Sequence, residues 1–93
     1  MIGDAISARC DTLALLLDRG DVEAATRIAA QAANYFMRVG ADADAANALD
    51  YLRRAVAAAH ATRDLVEHVR RFVTARLAGE PAAFEPADFE MPN

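Results

Sequence analysis

Between Ile2 and Leu77 apolar residues return every three or four positions, and only Gly20 and Gly40 interrupt that rhythm. A repeat near 3.6 residues turns one side of an α-helix toward a core, whereas a strand needs a period of about 2. The first proline is Pro81, so no proline breaks a helix anywhere in that stretch. These constraints predict an all-α fold, with a helical domain over 1–79 and an acidic, Pro-containing tail over 80–93.

In the first segment Ile2, Ile6, Cys10, Leu13 and Leu17 share one face. Asp4, Asp11 and Asp18 repeat at heptad spacing on the opposite, solvated side. Arg9 falls among the apolar residues and Leu15 among the aspartates; either one marks a partner contact, or Arg9 snorkels and Leu15 is an ordinary exposed leucine. Arg19-Gly20-Asp21 reads as a helix–helix turn rather than an adhesion signal, with Gly20 at a left-handed C-cap and Asp21 as the next N-cap. The second helix is expected over 22–39 and faces inward with Ala25, Ile28, Ala29, Ala32, Tyr35, Phe36 and Val39, before Gly40 stops it.

The stretch LLLDRGDVEAATRIAAQAA, residues 15–33, resembles the middle of a tetratricopeptide-type helical hairpin. Gly20, Asp21, Glu23, Ala25 and Ala32 carry the likeness, which implies a short-looped hairpin with closely approaching helices. The chain departs from that family in lacking the large aromatic signature of the first helix. It shows no second copy at the family's offset of about 34 residues.

Asp42 and Asp44 offer N-caps for a third helix, whose pattern runs from Ala45 to Leu77 without Gly or Pro. At about 1.5 Å per residue, such a rod reaches about 50 Å. Its apolar stripe changes direction. Ala45, Ala48, Leu49, Leu52, Val56 and Ala59 define one line; Leu65, Val66, Val69, Phe72, Val73 and Leu77 define another, turned by roughly 90°. Either the helix is one bent rod with a register change near 59–62, or it breaks there and folds back. Nothing in 57–61 opposes a helix, so the bent rod is favoured, although Asp64 and Glu67 resemble a capping box. The expectation is a three- to four-helix bundle completed by self-association, because an alanine-rich core covers a long rod poorly.

Charge is distributed in blocks. Residues 1–50 carry a net −4, residues 51–77 a net +4, and residues 78–93 a net −4. The six bases of the middle block are Arg53, Arg54, Arg63, Arg70, Arg71 and Arg76. All ten basic residues are arginine which, with 24 alanines, points to a GC-rich bacterial genome. Projected on a helix, the six spread around most of the circumference, where a phosphate-tracking surface needs them on one side, so nucleic acid is not the expected partner. No run approaches the ~18 apolar residues of a membrane span, and Asp4 stands where a signal peptide needs positive charge, so a cytoplasmic location is expected.

Chemistry is sparse. Cys10 is a lone thiol on an apolar face, and Ser7, Thr12, Thr26, Thr62 and Thr74 have no evident base beside them. His60, Asp64 and His68 follow each other at steps of four and form the one candidate metal strip. On a continuous helix the two histidines stand about 12 Å apart, so a site needs ligands from elsewhere, and no cofactor is expected.

The reading that follows is a non-enzymatic interaction module: an adaptor, chaperone-like or inhibitory protein working as a homodimer or hetero-complex. By architecture it is similar to small helical export chaperones of bacterial secretion and flagellar systems. The expected partner-binding residues are Leu65, Val69, Phe72 and Val73 on the long helix and Phe84 and Phe89 in the tail, with Arg53, Arg54, Arg70 and Arg71 as an electrostatic surface. The alternatives are a nucleic-acid-associated regulator and a metal-dependent helical protein. The tail repeats one unit, Glu80-Pro81-Ala82-Ala83-Phe84 and then Glu85-Pro86-Ala87-Asp88-Phe89. Its acids and rings suit the chain's own Arg side, a groove on another protein, or plain solvation.

Overall fold

The computed structural model describes residues 2–39, 42–82 and 84. Four helices follow in order: α1, Ile2–Asp18; α2, Val22–Val39; α3, Ala43–Ala57; and α4, Arg63–Leu77. The α1–α2 turn forms as its residues demand. Gly20 sits at φ +74°, and the N–H groups of Gly20 and Asp21 donate to the carbonyls of Leu17 and Leu16. Asp21 then accepts from the Ala24 N–H at 3.1 Å, starting α2. The stop assigned to Gly40 lies outside the described residues. Asp42 is the cap of α3: its carboxylate accepts from the Ala45 N–H at 2.9 Å. That bond, followed by the Arg76 guanidinium, holds the Asp42 carboxyl below the usual range.

The continuous bent rod expected from Ala45 to Leu77 is not what forms; the chain breaks after Ala57 and folds back as α4. The N–H of Ala59 donates to Val56 at 3.0 Å and that of His60 to Ala55 at 2.8 Å, the paired bonds of a Schellman cap. The same pair closes α1 at Gly20 and α4 at Gly79, both glycines at positive φ. Here the left-handed position is occupied by Ala59, at φ +60°. The new N-cap is Thr62, whose hydroxyl accepts from the Leu65 N–H at 3.2 Å, rather than the Asp64 of the expected capping box.

Burial explains why the break wins. A left-handed alanine costs about 1–2 kcal/mol. Folding back buries Leu65, Val66, Val69, Phe72 and Val73, and each side chain contributes about 1.5–3 kcal/mol when removed from water. The two stripes that diverge on a straight rod both point inward once the chain reverses between them.

Each helix packs on its neighbours in sequence, and α4 closes the ring against α1. Ion pairs fix the direction of these seams. Asp18 meets Arg63 at 2.7 Å and Asp11 meets Arg70 at 3.0 Å, so α1 and α4 run antiparallel. Arg76 reaches Asp42 and Asp44 at 3.1 and 3.2 Å, joining the end of α4 to the start of α3. The result is an up-down-up-down four-helix bundle. Its core is built from Ile6, Cys10 and Leu13 of α1, the alanines and Phe36 of α2, Leu49, Leu52 and Val56 of α3, and the α4 stripe. The α2–α3 pairing is the most extensive, and Ala25, Ala29, Ala32, Ala45 and Ala48 of these two helices are buried.

This closure corrects the expectation for the α4 stripe. Leu65, Val69 and Val73 are buried in the chain's own core, while Phe72, also largely buried, keeps an edge toward the α3–α4 surface. The cover expected from a second chain is supplied by α1 and α3. The strain at Ala59 is directly testable. Ala59→Gly should raise stability by about 1 kcal/mol, shifting the thermal midpoint upward by about 4–8 °C. An unchanged or lower midpoint would show that this position carries no left-handed strain.

Candidate functional site

The candidate site lies where the chain continues past α4. Gly79 (φ +80°) turns the backbone, and the Glu80 N–H donates to Ala75 at 2.9 Å, which directs the following residues back over the bundle. Pro81 stiffens that path and Ala82 packs against the core. Phe84 then sets its ring among three others. Its centroid is 5.4 Å from Tyr51 at an interplanar angle of 69°, 5.4 Å from His68 at 38°, and 5.7 Å from Phe72 at 43°. Edge-on and tilted arrangements at these separations are the favourable ones for aromatic quadrupoles. Tyr51 comes from α3, and His68 and Phe72 from α4, so Phe84 bridges the α3–α4 seam.

Among the described residues, a groove of about 420 Å³ lies beside the ring, lined by Asp44, Asn47, Tyr51, Arg54, Phe72, Ala82 and Phe84. Around the end of α4 lies a second hollow of about 300 Å³, lined by Ser7, Arg70, Arg71, Thr74, Ala75 and Glu80. The described tail residues therefore run from beside two arginines at Glu80 to an aromatic cluster at Phe84.

The other expected site residues scatter. His60 sits in the turn after α3 and is exposed, while Asp64 and His68 stay one turn apart on α4, so the break takes His60 off the strip. Among the described residues no three His, Cys, Asp or Glu side chains are placed to hold a metal ion. Phe89 lies outside the described residues. Arg53 and Arg54 both pair with Asp50, at 2.6 and 3.3 Å. Arg70 pairs with Asp11 and with Glu67, whose carboxyl it holds below the usual range. Of the four expected surface arginines, Arg71 alone makes no ion pair among the described residues.

The hydroxyls of Thr12 and Thr26 are occupied by helix carbonyls one turn back, and that of Thr62 by its cap. Arg9 lies 5.2 Å from the centre of the Tyr35 ring, so it snorkels across its own bundle. Leu15 is 56% exposed and Met37 52%, at opposite ends of the α1–α2 hairpin. No helix among the described residues is long and apolar enough to cross a membrane.

Phe84 stood out in the sequence beside proline and acid as a residue expected to bind a partner, whereas its ring lies on the chain's own α3–α4 seam. The aromatic seat was not legible, because Tyr51 and Phe72 read simply as stripe residues. Comparison of the chain with family models, curated proteins and solved structures returns no match.

Two measurements follow from this geometry. Phe84→Ala should leave the helices intact and lower stability to urea by about 1–2 kcal/mol, reflecting a half-buried ring with three aromatic neighbours; no change would show that the ring is not held there. Burial, offset only in part by Arg70, pushes the Cys10 thiol up from 9.0 to about 11. The folded state then holds the thiol proton more tightly than the unfolded state. This contribution is intact below about pH 9 and is lost as pH rises through 11. Alkylation of Cys10 at pH 8 should therefore proceed only as fast as the bundle opens, and rapid labelling of the folded chain would contradict its burial.

Proposed function

We infer that the protein is a non-enzymatic interaction module whose contact surface is the α3–α4 groove. The observation that carries this reading is Phe84, a single aromatic anchor from an extended, proline-stiffened segment, seated against Tyr51, His68 and Phe72 beside an open apolar-and-polar groove. An extended peptide presenting one ring to a helix–helix seam loses little entropy on docking. Asn47, Arg54 and Asp44 along the rim supply polar contacts that orient such a segment. The partner is another polypeptide, bound as a hetero-complex, in the manner of an adaptor or small helical chaperone.

The nucleic-acid alternative draws less support. Five of the six arginines of residues 51–77 are engaged with carboxylates, three of them across helix seams. A surface neutralised in this way does not track phosphates.

The test is affinity capture on the immobilised full chain, from extracts of the cells that express it, with Asn47→Arg and Leu15→Arg as paired variants. Asn47 lines the groove and Leu15 is remote from it. The reading expects a captured polypeptide whose recovery falls about tenfold with Asn47→Arg, a loss of about 1.4 kcal/mol, and is unchanged with Leu15→Arg. Equal recovery by the two variants overturns it.

A further inference from the structure

We propose that the α3–α4 groove recognises extended acidic segments of the form Glu-Pro-Ala-x-Phe on a partner polypeptide, and that residues 80–84 are an in-cis copy of that ligand which the partner displaces. The inference rests on the interaction-module reading and names the ligand of the same site.

Three observations converge on this chemistry. The first is the seat itself: the terminal ring of the unit lies on Tyr51, His68 and Phe72, while its leading Glu80 lines the hollow that holds Arg70 and Arg71. The second is repetition. The sequence presents the same unit again at 85–89, with glutamate, proline, alanine and phenylalanine at identical offsets. A merely space-filling strap requires one ring, whereas a recurring unit reads as a motif. The third is charge. The sequence over 80–93 carries four acids and no base, and Glu80, the acid among its described residues, lines the same hollow as Arg71, which makes no ion pair among the described residues. Acid-to-Arg complementarity sets the direction of the bound segment, and the ring supplies the anchor.

The in-cis copy makes binding a competition. A tethered segment acts at an effective concentration in the millimolar range for short linkers, so a free peptide finds the aromatic seat at the groove edge already taken by Phe84. Removing the tethered rings therefore strengthens binding in trans. Proline restricts the unit to extended conformations, so the peptide is already close to the shape in which it docks.

The experiment titrates the synthetic peptide Glu-Pro-Ala-Ala-Phe-Glu-Pro-Ala-Asp-Phe into the full chain by calorimetry, comparing wild type, Phe84→Ala and Phe84→Ala/Phe89→Ala. Circular dichroism checks the helices first. If the double alanine variant does not fold, Phe84→Leu/Phe89→Leu takes its place. The double variant should bind the peptide at least about tenfold more tightly than wild type, with Phe84→Ala between them. A peptide with both phenylalanines replaced by alanine should not bind. Absence of binding by the folded double variant, or equal affinity in wild type, overturns the proposal. If groove-dependent capture by Asn47 survives such a failure, the interaction module stands and only this ligand is wrong. If capture ignores Asn47→Arg, the module itself falls, whatever the peptide does.

Discussion

The reversal at residues 58–62 is the constraint from which the rest of the bundle follows. Without it α4 would extend past α3, its stripe from Leu65 to Val73 would meet water, and Phe84 would have no seam to bridge. Two local devices hold the reversal: the Schellman bonds of Ala59 and His60, and the Thr62 cap. Neither is strong alone. A cap contributes about 1 kcal/mol, and a left-handed alanine opposes it by a similar amount. The turn therefore persists because α4 packs, not because the turn residues insist on it. The α1–α2 turn has the opposite character, since Gly20 and Asp21 favour it before any packing occurs.

Charge works on the same hierarchy. The basic block of residues 51–77 looks in one dimension like a surface awaiting an anion. In three dimensions it meets acids from the first half of the chain. Asp11 and Asp18 are seven residues apart, as are Arg63 and Arg70, so the two antiparallel helices match twice along one seam. Such half-exposed pairs contribute about 0–1 kcal/mol each, too little to drive folding. Their value lies in register: a shift of α4 by one turn against α1 would set both pairs out of reach.

The parts of the fold that were legible in the sequence are those with residue-specific chemistry. Gly20 and Asp21 mark a turn, Asp42 marks a cap, and the alanine face of α2 marks a close approach. The α3–α4 break was visible only as a turn in the apolar stripe, because 57–61 is four alanines and a histidine that suit a helix as well as a turn. There the tertiary gain decided against local propensity. The fate of the α4 stripe followed from that one choice. Leu65, Val69, Phe72 and Val73 carry the signature of buried residues in either case, and periodicity cannot say whether the cover is a second chain or the same one folded back. The site divided in the same way. Phe84 stood out beside proline and acid, while its seat needs Tyr51, His68 and Phe72 from two helices whose juxtaposition no spacing reveals.

The tail also answers a weakness of the composition. A chain with 24 alanines has little large apolar area, and the α3–α4 pairing is the least extensive of the four that close the ring. Phe84 adds its ring at that thinnest seam, where Tyr51 is half-buried and Phe72 forms the outer edge of the core. The same contact therefore has two consequences: it supplements the core, and it takes the aromatic seat at the edge of the groove. A ligand that displaces Phe84 must restore the area it removes, which a bare acidic peptide cannot do and an aromatic one can. Stability thus acts as a filter on what the groove accepts, and the need for a ring in the ligand follows from the shortage of large side chains in the bundle.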